Sequence, residues 1–521
     1  MPDPRLTTLK TSRNPLKLLG AALTGVLMVL AFPRYGFELG VDWISWFALA
    51  PLFFVAVGSG GLRGTVLGWS AGLILEAGGF IWILVAIRRF TELPDAVSSG
   101  LFLAWLLYSS LPWAVLGMAL GRCQRPSGVL WVLPLWVGLE HYFPRLFPWT
   151  LGGAFYGREW LVQNADLLGA SGLTGLVFLG NAALFLLVGF VRKRHPFPVR
   201  TVVSFVTILA AALVYGRFRL AQVEDVEAGA PALSVALIQG ARPAAAAPED
   251  LEAYLEMTRK VRETNPVDLV VWPEAADPYT FDLTPGNDPW RGHHRDRTDP
   301  EVLLRDALSV PLLTGGTGYR ADRAIALSGI AAYLRPGQKP LFYEKNVRLL
   351  FGEYVPFGEL VPQSWLDALG IRVATVAAGT TNPVFPLKES SFKNLVCYEA
   401  VLPDYFRRAA SGVDFLINIT EDIWYGRTAH ISQHVSVLIL RVVENRTPLV
   451  RATNMGPSGV IDISGRFRRV EKIFAPDVFV GTLRARSTRT FYGSAGHLFP
   501  LAMLLLVVGR STLVYVFFRK R

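Results

Sequence analysis

Cysteine is almost absent from this 521-residue chain, with Cys123 and Cys397 its two thiols. A disulfide framework is therefore excluded as the source of stability. Histidine is scarce too, at seven residues. His293 and His294 sit in a loop-like stretch, and His430 and His434 share a helical spacing without the adjacent Glu of the zinc-protease motif. No Cys-His pair, metal centre or cofactor is expected from this pattern. Surplus charge is missing from the middle of the chain: residues 217–496 hold 32 Lys and Arg against 32 Asp and Glu, leaving 20 against 9 elsewhere. The whole net charge of +11 thus lies outside that stretch, which removes nucleic acid as an expected partner.

What the chain has in quantity is long apolar runs, and a mean hydropathy of +0.35 is too high for a wholly soluble protein. Runs near 16–32, 43–57, 62–87, 97–120, 128–143, 169–191, 201–218 and 498–517 each approach the roughly 20 residues of a spanning helix. Those at 43–57 and 128–143 are short enough to be re-entrant. Cations follow the positive-inside rule from a cytoplasmic N-terminus: Arg5, Lys10, Arg13 and Lys17 precede the first run, Arg192 to Arg194 and Arg200 follow the sixth, and Arg519 to Arg521 close the chain. Arg88 and Arg89 form the one pair on the wrong side. The expected organisation is a membrane domain over 1–218, a soluble domain outside the cytoplasm over 219–496, and a last helix with a basic, cytoplasmic end over 497–521. The first run is expected to stay as an uncleaved anchor. Cys123 and Cys397 then lie on opposite sides of the membrane and cannot pair.

From residue 233 the pattern turns to short apolar runs separated by helical periodicity, which predicts an α/β domain. Strands are expected at 233–238, 269–272, 311–314, 325–334, 341–343, 395–397, 415–419 and 449–453, and helices at 249–263 and 428–444. Residues 281–300 read as an irregular surface loop.

Three of these runs end in chemistry. Glu274 closes Leu269-Val-Val-Trp-Pro-Glu, Lys345 follows the run at 341–343, and Cys397 closes Asn394-Leu-Val-Cys. In open α/β sheets ligands bind at such carboxyl ends. A thiol with an ordinary pKa of about 8.5 needs a nearby base or cation to react at neutral pH. Glu274 can supply the base, and Lys345 can lower the thiol pKa and stabilise an oxyanion together with the backbone N–H after the nucleophile. A buried, inert cysteine, a capping carboxylate and a surface lysine are the alternatives when each is taken alone.

The surroundings add a resemblance. Trp272-Pro273-Glu274, Lys345-Asn346 followed by Phe351-Gly-Glu-Tyr-Val-Pro356, Cys397-Tyr398-Glu399 and Arg451-Ala-Thr-Asn-Met-Gly456 are similar to the motifs of the nitrilase superfamily, and most closely to the apolipoprotein N-acyltransferase family. The resemblance implies a polytopic membrane domain of about eight helices carrying a nitrilase-like αββα sandwich at the periplasmic side of the bacterial inner membrane. It also implies a Glu274 base, a Lys345 oxyanion stabiliser and a Cys397 nucleophile that becomes a thioester. Glu353, Tyr354, Tyr398, Glu399 and Trp424 match supporting positions. The implied reaction takes an acyl chain from a phospholipid, with phosphatidylethanolamine the expected donor, to the α-amino group of a diacylglyceryl-cysteine apolipoprotein. Glu421 stands where the family has Asn, and Ala244 to Ala247 stand where it has an arm tryptophan. Residues 351–371 are apolar enough for a lid that admits acyl chains, or for ordinary helix packing. A membrane-tethered amidase that hydrolyses its thioester with water, and a transporter or receptor whose outer domain only binds ligand, are the competing readings.

Overall fold

A computed structural model describes the chain except for residues 1–13, 34–40, 91–92, 243–247, 279, 293–308, 351, 355–375 and 520–521. The expected lid and the alanine-rich arm fall almost wholly outside the described residues. By internal contacts the chain divides into two units: Met1–Leu84, Ser98–Phe218 and Ser494–Arg521 form the first, and Val85–Val97 with Arg219–Gly493 the second.

The first unit is helical. Asp95–Arg122, Ala165–Val191 and Val199–Ala228 are long and apolar enough to cross a membrane, and Gly61–Gly79 with Trp82–Arg89 makes a fourth crossing if that pair, bent by 55°, is one span. The expected runs at 43–57 and 128–143 are not single helices. The first breaks into a 3-10 turn at Asp42–Trp46 and a helix at Ala50–Ala56; the second breaks into Pro126–Trp131 and Leu133–Tyr142. The break near 49 exposes backbone that buried Asn181 satisfies. Its Oδ1 accepts from Leu49 N at 2.8 Å and Ala50 N at 3.2 Å, and its Nδ2 donates to Ser45 O at 2.8 Å. An apolar environment requires such a partner, because an unpaired peptide group there costs several kcal/mol. Gly61–Gly79 and Leu111–Arg122 cross with their backbones nearly touching. A Cβ on Gly64 would meet Gly117 O, and one on Gly117 would meet Gly64 O, which is the small-residue packing that membrane helices favour.

The second unit is built on two sheets. One has strands β1 (Ala232–Gln239), β2 (Leu269–Val271), β3 (Thr280–Asp282), β4 (Leu312–Tyr319), β5 (Leu327–Leu334), β6 (Leu341–Glu344) and β13 (Asp477–Arg484), in the order β13-β1-β2-β4-β5-β6 with β3 on β4. The other has β7 (Phe385–Leu387), β8 (Ser390–Val396), β9 (Phe415–Thr420), β10 (Leu449–Thr453), β11 (Gly459–Ile461) and β12 (Phe467–Arg469), in the order β12-β11-β10-β9-β8-β7. The central strands β1, β2 and β4 are parallel to one another, as are β8, β9 and β10.

Alternation decides which side chains fill the space between sheets. Val235, Leu237, Leu269 and Val271 of the first sheet share one buried cluster with Phe392, Val396, Phe415, Ile417, Ile419 and Val450 of the second. Residues one step out of phase, Ala236, Ile238, Val270 and Trp272, instead join Leu251, Tyr254 and Leu255 of the helix Pro248–Thr264. The fully buried helix His430–Asn445 belongs to the same unit as the second sheet. All eight expected strands are present, and a further helix, Pro403–Ala410, lies between β8 and β9. The loop expected at 281–300 is described only to 292, and that part differs from it: Phe281 and Asp282 belong to β3 and Pro289–Gly292 is a 3-10 turn, while 293–300 lie outside the described residues.

Candidate active site

Three carboxyl ends bring the expected residues together. Cys397 follows β8 directly and opens the 3-10 turn Cys397–Val401, with φ at +53°. A non-glycine residue in the left-handed region is strained, and its persistence means the surroundings fix it there. Asn418 of β9 supplies part of that fixing: its Nδ2 donates to Leu395 O at 3.1 Å and Cys397 O at 3.3 Å. Arg451 Nη1 donates in turn to Asn418 Oδ1 at 2.8 Å.

Glu274 lies on the turn after β2, held close against β4. Gly315 N donates to Pro273 O at 3.1 Å, and a Cβ on Gly315 would come within 2.6 Å of Glu274 Cα, so only glycine fits. Lys345 follows β6 and is buried, its Nζ 2.6 Å from Glu353 Oε1 and 3.5 Å from Glu274 Oε1. The other Glu274 oxygen, Oε2, is buried without a hydrogen-bond partner. A free acceptor at that point is what a proton-abstracting group needs.

Electrostatics follow from this crowding. Burial and then the Glu274 carboxylate push the Cys397 thiol up to about 12, with Lys345 pulling it down. Burial also raises the Glu274 carboxyl, Lys345 opposes that rise, and Glu353 adds to it. For Lys345 burial acts downward, but Glu274, Cys397 and Glu353 together outweigh it and hold the ammonium above its ordinary value. One cation thus sits between two carboxylates and the thiol.

Glu399 ties the Cys397 and Lys345 segments into one body. Its Oε2 accepts from Val396 N at 2.8 Å and Tyr343 OH at 2.6 Å, and its Oε1 accepts from Asn346 N at 2.6 Å and Val347 N at 2.8 Å. Four donors on one buried carboxylate place the residue before Cys397 and the two after Lys345 at fixed separation. Tyr398, partly buried, packs on the core between the sheets. Tyr354 lies under the Arg348 guanidinium, 4.5 Å from its ring centre. Trp424 is in the 3-10 turn Ile423–Tyr425 that follows β9.

Sequence reasoning passed over Tyr425, the neighbour of Trp424. Its hydroxyl is raised well above the ordinary value, by burial first and then by Cys397, Asp422, Glu274 and Glu353. It also stacks on His430, ring centres 3.5 Å apart. Two consecutive aromatics in the turn after β9 are the signal that could have marked it. Behind it lie Asp422, His430 and His434, with donor atoms within 4.8 Å of one another. Arg451 Nη2 is 2.6 Å from Asp422 Oδ2 and 3.5 Å from His434 Nδ1, so a fixed cation already answers that carboxylate. Burial opposes charge on Asp422, yet Arg451 overcomes it and holds the carboxyl well below its usual range.

Glu421, the departure from the family pattern, accepts from Ile423 N and Asn454 Nδ2, each at 2.9 Å. Burial pushes its carboxyl up to about 8. Burial thus favours its neutral form, while the two hydrogen bonds it accepts oppose that rise.

The unit of two mixed sheets, each with parallel strands at its centre, is a nitrilase-like carbon–nitrogen hydrolase domain: the model of the carbon–nitrogen hydrolase family matches residues 234–490. A second model, the apolipoprotein N-acyltransferase N-terminal domain, matches residues 24–183. The apolipoprotein N-acyltransferase of Geobacter metallireducens is 32% identical over 518 residues, covering 96% of this chain and 95% of that one. The enzyme of the same name from Bdellovibrio bacteriovorus is 28% identical over 540 residues, covering 95% and 93%. Among solved structures, an amidase from Nesterenkonia sp. AN1 is similar with a TM-score of 0.36 and 16% identity, covering 50% of this chain and 96% of its own. The chain belongs to the apolipoprotein N-acyltransferase family, acyltransferases of the carbon–nitrogen hydrolase superfamily. The membrane part, matched as part of that family, separates it from the amidase alternative.

Proposed function

We propose that Cys397, Glu274 and Lys345 carry out a two-step acyl transfer from a membrane phospholipid to the free α-amino group of a diacylglyceryl apolipoprotein. The observation that carries this reading is the buried Lys345 ammonium, 2.6 Å from Glu353 and 3.5 Å from Glu274, beside a thiol on a strained strand end. In the first step Cys397 Sγ attacks the ester carbonyl carbon while Glu274 takes the thiol proton. Lys345 stabilises the tetrahedral oxyanion. Collapse breaks the ester C–O bond, Glu274 returns the proton to the departing oxygen, and a lysophospholipid leaves behind a thioester. In the second step the neutral amine attacks that thioester, Glu274 accepts the amine proton, and the C–S bond breaks to give an amide. The proton then returns to sulfur.

Glu353 and Glu399 serve as anchors for Lys345 and for the two loops, while Tyr354, Tyr398 and Trp424 line the substrate side. Eight spans with both termini in the cytoplasm would put this chemistry at the outer surface of the inner membrane, within reach of lipid headgroups and of lipoproteins already anchored there. Phosphatidylethanolamine is the donor this reading favours. With a synthetic diacylglyceryl-cysteine peptide as acceptor, phosphatidylethanolamine in nanodiscs is expected to yield equal amounts of lysophosphatidylethanolamine and N-acylated peptide. Phosphatidylglycerol with the same chains should react more slowly, and equal rates from both would overturn the donor preference. Lysophospholipid formed with free fatty acid instead of acylated peptide would favour hydrolysis.

A further inference from the structure

Arg88 and Arg89 break the charge pattern of the membrane part, and their segment belongs by contacts with the catalytic unit. Arg88 is held within that segment, its Nε 3.0 Å from Asp95 Oδ1. Arg89 reaches across 334 residues of sequence: its Nη1 donates to Ile423 O at 2.7 Å. The same carbonyl accepts from Gly426 N at 3.2 Å and so closes the turn Ile423–Tyr425. The guanidinium rests on Gly426, where a Cβ would lie 2.9 Å from Nη1 and Nη2 and 3.0 Å from Cζ. Gly426 also has φ at +59°, so the position needs glycine twice over.

A cation on the carbonyl that ends a helical turn is favoured by the local dipole. What this turn carries gives the contact its meaning. Asp422 before it is pinned by Arg451 and Thr453, at 2.6 and 3.0 Å, and Tyr425 within it stacks on His430 at 3.5 Å. Both of those restraints come from the second sheet and its helix. Arg89 comes instead from the segment joined at both ends to the membrane unit.

We propose that Arg89 is a positioning residue for the acyl-transfer step: by capping the 423–425 turn it steadies Asp422 and, through Arg451 and Asn418, the backbone of Cys397. The inference rests on Cys397 being the nucleophile. Arg89 does not itself touch the reacting atoms. Its loss therefore slows chemistry without weakening the grip on lipid, whereas an arginine that bound a headgroup phosphate would show the opposite split.

The experiment measures the rate of Cys397 acylation by intact-protein mass, using the full chain in nanodiscs with increasing dioleoylphosphatidylethanolamine. Arg89→Ala is expected to lower the maximal rate about tenfold, the scale of one charge-assisted hydrogen bond, with the half-saturating lipid fraction unchanged. Arg89→Lys should recover most of the rate. Gly426→Ala, which displaces the guanidinium from the other side, should slow the enzyme too, and the double variant should be no slower than the slower single one. A wild-type rate in Arg89→Ala, additive effects in the double variant, or a raised half-saturating fraction at unchanged maximal rate would each overturn the proposal. If wild type itself forms no adduct, the reading of Cys397 fails and the proposal falls with it. Should Arg89→Ala not fold, Arg89→Gln and Gly426→Ala give the same comparison.

Discussion

Glu274→Gln is expected to slow acylation of Cys397 by roughly 10²- to 10⁴-fold while leaving a folded protein, the range typical for loss of a positioned general base. The amide keeps the shape and the contact toward Lys345 Nζ, 3.5 Å away in the parent. It cannot take the thiol proton. Removing the carboxylate also removes one of the influences that raises Cys397, so the thiol of the variant should titrate lower than in the parent. A slower enzyme with a more easily ionised thiol separates the loss of a base from a simple electrostatic effect. The sign of the pH dependence follows. Glu274 accepts a proton only when ionised, and burial raises its pKa, so wild-type activity should fall as pH drops through a value above the ordinary carboxylate range. In the glutamine variant that acid limb should vanish. Single-turnover acylation between pH 5 and 9 reads both effects.

Lys345→Met is expected to cost about 10²- to 10³-fold in the same assay, as removal of an oxyanion partner typically does. Lys345 is the cation between Glu274 and Glu353, and without it two partly buried carboxylates face each other uncompensated. Glu274 would then rise further, because like charges oppose ionisation and the counter-ion that lowers it is gone. The acid limb of the pH profile should shift to higher pH in this variant, the direction opposite to its loss in Glu274→Gln. Should the limb stay in place, Lys345 would not be acting on Glu274.

The candidate site residues are legible in the sequence because each ends or follows a short apolar run. The runs before Glu274 and Cys397 become the parallel strands β2 and β8, at whose carboxyl ends ligands bind, whereas Lys345 follows β6, an edge strand antiparallel to β5. The strand expected at 395–397 shows the limit of that reading: the strand itself is Ser390–Val396, and Cys397 is the left-handed residue just beyond it. Apolar pattern locates the turn but carries no information about its φ. Strands β3, β7, β11 and β12 have three residues each, too few for alternation to register, and β13 lies at a sheet edge with most of its residues partly or fully exposed. The run at 43–57 looks continuous because a helix interrupted by Pro51 and rescued by Asn181 is as apolar as an unbroken one. Arg89 was visible as an anomaly of charge, but the carbonyl it meets is 334 residues away, and one sequence cannot join them.

A thioester at Cys397 is the intermediate that transfer through this cysteine requires. Wild type and Cys397→Ala, each in phosphatidylethanolamine nanodiscs without acceptor, would be compared by intact mass before and after neutral hydroxylamine. One acyl chain added to wild type, removed by hydroxylamine and absent from the variant, is the expected result. An adduct that persists in Cys397→Ala, or no adduct on a wild type that still acylates the acceptor peptide, would contradict transfer through this cysteine.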